Sequence, residues 1–351
     1  MNRRERFLAF ANFETVDRVP RSAGFVESLF EAMKARCAGQ DPSTFFQMDG
    51  SWCPGLTPPA ELPSPDYSAY HQEYLSNPLF SIDGNGCGHL LHGFYHFTEY
   101  ISPLRNAEDF RELEQYPLVS NAGWSEAGMR EACASQHADG NYAGMWIGHM
   151  YENAWQVRGY EPFLTDLLTQ REWAEFLLDH YCANNVRAAE AGARAGYDLI
   201  SIGDDVANQT ALMFQPALWR EVMKPRWAKV IAAAKAIKPN IHVWYHSDGN
   251  IWEILDDLVE IGVTILNPVQ PECMNPIDVR KRCGKRLAFD GCMGTQTTFP
   301  FGTADDVRRM VRYYIDALDG LHGGLWLSPT HVLEPEVPIE NVLAFFAECD
   351  R

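Results

Sequence analysis

His246 and Asp248 stand two residues apart in the run YHSDGN (residues 245–250). At that spacing on a strand both side chains share one face. An imidazole and a carboxylate then lie side by side, with Gly249 after them to let the chain turn. They make a candidate pair of metal ligands; the simpler alternative is a histidine held by a local aspartate. His331, in SPTHVLEP (328–335), ends the last strand-like run. In one closed barrel His246, Asp248 and His331 would supply two imidazoles and a carboxylate, with a coordination position left open. That set suits catalytic zinc, and also non-haem iron. Iron oxygenases with such ligands use a different, double-stranded β-helix fold, which counts against that option. For His331 the alternative is a capping role before a Pro-containing turn.

Other groups with chemistry end neighbouring strand-like runs: His149 and Glu152, Asp204 and Asp205, Asn267 and Gln270, and Asp290. Glu152, Asp204 and Asp290 are candidates for positioning substrate or moving a proton. Adjacent residues on a strand face opposite sides, so one of Asp204 and Asp205 can point into a mouth while the other caps a helix. Asp205, Trp244 and Gln270 are candidate substrate contacts, Trp244 sharing the face of His246. For Asp290 the alternative is a turn residue before Gly291. His89, His92 and His96 would share a face on a helix, but Gly88 and Gly93 flank them and the segment reads as loop plus strand.

The elements that must carry these residues alternate. Strand-like runs cover 18–25, 142–149, 197–205, 241–249, 263–270, 286–294 and 324–331. Amphipathic stretches of helical length lie between most of them, among them 216–237, 251–261 and 303–318. This rhythm predicts a parallel sheet. Seven strands, with room for an eighth, predict an α/β fold of (β/α)8 TIM-barrel type, in which chemistry sits at the carboxyl ends of the strands. Residues 49–118, rich in Gly, Pro and aromatics, break the rhythm. They read as a long insertion after the first strand that covers the barrel mouth, with one strand at 95–102. Residues 1–351 then form a single domain.

Composition narrows the class. Apolar residues make up 46% of the 351, enough for a large core and against disorder. With 29 Lys plus Arg against 47 Asp plus Glu the formal charge is -18, which argues against nucleic-acid or anionic-membrane binding. No segment approaches the ~20 apolar residues of a membrane span. The apolar run near the N-terminus is too short for a signal peptide, so a cytoplasmic protein is expected. Nine widely spaced cysteines without a CxxC argue against a disulfide framework and a zinc ribbon.

Taken together, the motifs resemble the uroporphyrinogen decarboxylase superfamily, and within it the corrinoid-dependent methyltransferases. The resemblance spans nearly the whole chain, from RRERFLAFANFETVDRVP (3–20) through DDVANQTALMFQPALWREVMKPRW (204–227) and YHSDGNIWEILDDLVEIGVTILNPVQP (245–271) to SPTHVLEPEVPIENVL (328–343). It implies a barrel whose mouth holds Zn²⁺ and a small methylated substrate, such as a methyl ether or amine, facing a corrinoid protein. Relatives imply a homodimer or a monomer. Zinc members resemble HxC on one strand with a further cysteine on a late strand. Here Asp248 replaces the first cysteine and His331 aligns with the second, a harder donor set suited to an oxygen-bearing substrate. True decarboxylases carry an RQAGR-type segment after the first strand. PRSAGFVESLF (20–30) keeps Arg21 and lacks the second arginine. A uroporphyrinogen-type decarboxylase and a non-catalytic ligand-binding barrel are the alternatives.

Overall fold

The computed structural model describes residues 1–92 and 98–350. Six parallel strands form one sheet in sequential order: β4 (Gly144–Gly148), β5 (Leu199–Gly203), β6 (His242–His246), β7 (Ile265–Asn267), β8 (Ala288–Met293) and β9 (Leu325–Pro329). Each lies inside an expected run, and helices pack outside them. Before them a small antiparallel sheet is built from β1 (Phe80–Ile82), β2 (Gly88–Leu91) and β3 (Thr98–Ile101). It is the strand-forming part of the expected insertion. The strand expected at 95–102 is seen as β3, with residues 95–97, and so His96, outside the described residues.

Two short extended segments complete the wall. Leu327 of β9 donates to Pro20 O and accepts from Ser22 N, and Arg21 bridges Leu327 in parallel. Asp49 N donates to Arg21 O, and Cys53 N donates to Gly144 O at the start of β4. Hydrogen bonds thus run from β9 through residues 20–22 and 49–53 to β4. The expected strand at 18–25 is paired only around Arg21 and Phe25, because Pro20 has no N–H to continue a ladder. Residues 49–53, the start of the expected insertion, serve as wall.

Asp49 is the pin of this closure. Its buried carboxylate accepts from Arg6 Nη1 (2.7 Å), Arg18 Nη1 (2.6 Å) and Arg21 N (3.0 Å). It ties together the N-terminal helix Arg3–Ala11 and both short wall segments. The helix starts on a capping box between Asn2 and Glu5 and closes the floor of the barrel. Phe7 stacks on Tyr142 at 4.2 Å, and Phe10 meets Trp326 edge-on at 5.7 Å. These rings pack with Leu199, Ile265 and Ala288 into an inner core separate from the larger one between strands and helices. Alternation along the strands stacks the interior: apolar residues at the floor, then Ser201, Trp244 and Asp290, then the rim.

The helical stretch expected over 216–237 is two helices, Pro216–Val222 and Lys224–Ile237, broken at Met223. Pro225 sits in the first turn of the second helix, where its missing N–H costs nothing. Among the described residues no helix is long and apolar enough to cross a membrane.

Replacing Asp49 with alanine would leave Arg6 and Arg18 without their shared buried partner. We expect a loss of about 3–5 kcal/mol, read as a lower midpoint in equilibrium denaturant unfolding; an unchanged midpoint would refute the pinning role.

Candidate active site

The rim at the carboxyl ends of β4–β9 opens into a cleft of about 580 Å³. A neighbouring cavity of about 380 Å³ is lined by Asp248, Gln270 and Thr295. Thr330, His331 and Val332 border both.

Register brings the first group together. Gly203 pairs with His246 across β5 and β6, and His246 pairs with Asn267 across β6 and β7. The first pairing needs glycine, since a Cβ at 203 would stand 2.4 Å from His246 O. Asp205, His246 and Asp248 then offer donor atoms all within 4.8 Å of one another. Asp205 Oδ1 accepts from Asp248 N (2.8 Å) and lies 3.4 Å from His246 Nε2. His331, expected as the third ligand, lines the wall of the cleft and belongs to none of the compact donor groups among the described residues. Asp205 stands in that compact group instead, while His331 is near enough to act on the charge of Asp248.

Two observations test whether this set fits a cation. Asn267 Nδ2 donates to Asp290 O (2.9 Å), which turns Asn267 Oδ1 toward His246 Nδ1 at 2.7 Å. Nδ1 must therefore carry the proton in the neutral ring, and Nε2 keeps its lone pair beside Asp205. An outer partner that selects the ligating nitrogen is what metal-bound histidines have. Second, Asp248 Oδ1 is buried without a hydrogen-bond partner. Such an atom is costly unless a ligand satisfies it. The donor set fits a divalent ion. Burial pushes the Asp248 carboxyl up, His246 opposes this, and Asp205 adds to it. Burial works against charge on His246, but Asp205 and Asp248 overcome it and raise its pKa.

A second group adjoins the first. The ladder between β4 and β5 shifts register after Trp146, a bulge of the kind that re-aims side chains. Gly148 adopts φ +142° there. Trp146 and His149 thereby face the same cleft with ring centroids 4.8 Å apart. His149 Nδ1 lies 2.8 Å from both Gly203 O and Glu152 Oε2. Glu152 in turn accepts from Asp205 N (2.9 Å). Burial alone would lower the His149 pKa; the hydrogen bond and charge of Glu152 raise it to about 9. The same pairing holds Glu152 below the usual carboxylate range against its burial.

Asp204 is fully buried behind this pair. It accepts from Met150 N, Glu152 N and Trp227 Nε1, so it caps the start of the helix Tyr151–Arg158 rather than the helix after it in sequence. Burial lifts its pKa to about 7, with His149 opposing. Asp290 lies deeper, accepting from Ser328 Oγ and Trp244 Nε1 at 2.8 Å each. Trp244 stacks on His246 at 5.7 Å and 10°. Gln270 Oε1 accepts from Gly249 N (3.4 Å) in the second cavity.

A family-level comparison matches residues 147–351 to Uroporphyrinogen decarboxylase (URO-D). The chain belongs to the uroporphyrinogen decarboxylase family. Among solved structures it is similar to a methyltransferase from Methanosarcina mazei, with TM-score 0.69 and 19% identity over 100% of this chain and 98% of that one. At that identity the likeness establishes the fold, an α/β barrel. A β-L-arabinopyranosidase from Geobacillus stearothermophilus matches with TM-score 0.36 and 12% identity over 63% of this chain and 58% of that one. No curated protein matches the sequence. In this uroporphyrinogen decarboxylase family barrel, His149 and Asn267 are the site residues that spacing alone did not single out. Both stand at strand ends, which was the available signal.

The folded pKa of His149 lies above the ~6.5 of a free imidazole, so its contribution to stability is complete below that pH. It is lost as pH rises through about 9. Denaturant unfolding should therefore show stability falling between these limits, and His149→Gln should flatten the fall. An identical slope in the variant would exclude the assignment.

Proposed function

We propose that this barrel is a methyltransferase that moves a methyl group from a small methylated substrate to a corrinoid protein, with a divalent metal, Zn²⁺ by preference, at Asp205, His246 and Asp248. His331 stands beside the site as a further donor on the cleft wall. The observation that carries the reading is the chemistry of the lining. The cleft and its neighbour present carboxylates, imidazoles and indoles, and among the described residues neither Lys nor Arg lines them. A decarboxylase of polycarboxylate porphyrinogens needs cations facing its substrate. Arg21, the arginine shared with the decarboxylase motif, is buried instead. It donates to the carbonyls of Phe46 and Phe346 and pairs with Asp350.

When bound, the metal would act as a Lewis acid toward the heteroatom carrying the methyl group. The chain's own residues orient the reactants. Asn267 fixes the His246 ring, and Asp290 holds the Trp244 indole as a wall. Glu152 anchors both His149 and the Asp205 backbone. His149, with Nδ1 committed, offers Nε2 to a group in the cleft. We assign Asp204 a positioning part, acting through Glu152, because it is sealed from the cleft. Gln270 borders substrate from the second cavity. Residues 49–118 are taken as a cover of the mouth within one domain: Tyr100 of β3 meets Trp155 edge-on at 5.1 Å, and Trp52 lines the cleft itself.

Protein purified without chelator should hold about one equivalent of metal, as a three-ligand catalytic site does. His246→Ala should fall below roughly one tenth of that. Uroporphyrinogen should release no carbon dioxide, whereas a reduced corrinoid protein should gain methyl groups. Metal-free protein with unchanged uptake in His246→Ala would overturn the metal assignment. Carbon dioxide release would restore the decarboxylase.

A further inference from the structure

The cleft has two unlike sides. Asp248 and Gln270 face the second cavity, whereas Trp52, Trp146 and Trp244 line the first. Trp146 and Trp244 stand nearly perpendicular, at 78° with centroids 6.2 Å apart, and so form a corner. Trp52 and Trp146 are 56% and 40% exposed, so indole surface is left open to a ligand rather than spent on the core. The Trp244 N–H is tied to Asp290 Oδ2, and donation to a carboxylate enriches the indole ring in electrons. Glu152 and Asp205 lie on the same cleft. The facing imidazoles of His149 and His246 each have a carboxylate of their own in Glu152 and Asp205.

Indole faces set at a corner, with carboxylates and no competing Lys or Arg, are the chemistry that recognises quaternary ammonium groups. A neutral methyl ether would gain from the apolar walls but not from the charge. We propose that the substrate is a methylated onium cation, of the trimethylammonium class, held by the indoles of Trp52, Trp146 and Trp244 in a cleft that Glu152 and Asp205 also line. The transfer step rests on the methyltransferase reading; binding itself does not. In transfer, the carbon–nitrogen bond breaks with its electron pair left on nitrogen, giving a neutral tertiary amine. The pair for the new bond to carbon comes from the reduced corrinoid of the partner protein, and no proton moves. Asp205 and His246 line this same cleft, so a divalent ion there would share Asp205 with the onium group, and because a quaternary nitrogen has no lone pair to offer a metal, the Lewis-acid part falls away for this substrate.

The test is calorimetric titration of the full chain, with and without added Zn²⁺, comparing choline with its neutral isostere 3,3-dimethylbutan-1-ol. Choline should bind at one site, roughly tenfold or more tighter than the isostere, as a desolvated cation–π site provides. Trp146→Leu and Trp52→Leu, both at exposed positions, should each weaken choline about tenfold, while Trp146→Phe should stay within about threefold. Equal affinity for the two ligands, unchanged affinity in both leucine variants, or no binding of either up to about 10 mM overturns the proposal. Choline binding without methyl transfer to a corrinoid protein would leave this site standing and remove the methyltransferase. Transfer from a neutral ether without choline binding would do the reverse.

Discussion

Carboxylates crowded into a rim of low dielectric repel one another, and such a cluster persists only where each has a donor or a cation opposite it. The barrel mouth meets this condition residue by residue. Glu152 has His149 and the Asp205 amide. Asp204 has two helix-start amides and an indole. Asp290 has Trp244 and Ser328. Asp248 has the imidazoles of His246 and His331 acting on its charge, yet its Oδ1 is left without a hydrogen-bond partner. The ligand reading of the site grows from that one incomplete balance.

The scaffold exists to hold this arrangement still. Parallel strands in register place Gly203, His246 and Asn267 on adjacent rungs, with Asp205 two residues beyond the first, and the glycine at 203 lets two of those strands close up. The bulge after Trp146 lets residues three apart in sequence look into one space. Behind the rim, tightly packed helices bury the supporting groups, so the polar side chains have few alternative positions.

Short runs rich in β-branched and aromatic residues made six of the wall strands legible in the sequence, because strands buried on both faces are near-continuously apolar. Residues 49–53 left none. Their N–H groups at 49 and 53 pair with Arg21 O and Gly144 O, and side-chain type says little about such backbone pairing. The break at Met223 was signalled by Pro225, but the amphipathic pattern runs through it. At the site, the two-residue spacing of His246 and Asp248 placed both on one face. That Asp205 lies within reach of both was not legible, since it depends on how the chain turns after β5 rather than on spacing. His149 needed the bulge, which no residue type announces by itself.

The helix Arg3–Ala11 stops the lower end of the barrel with Phe7 and Phe10. The chamber is consequently a cul-de-sac. Whatever enters does so past the same threshold by which it leaves, and a macromolecular co-reactant has only that doorway to approach. Spent product and fresh substrate would share that opening.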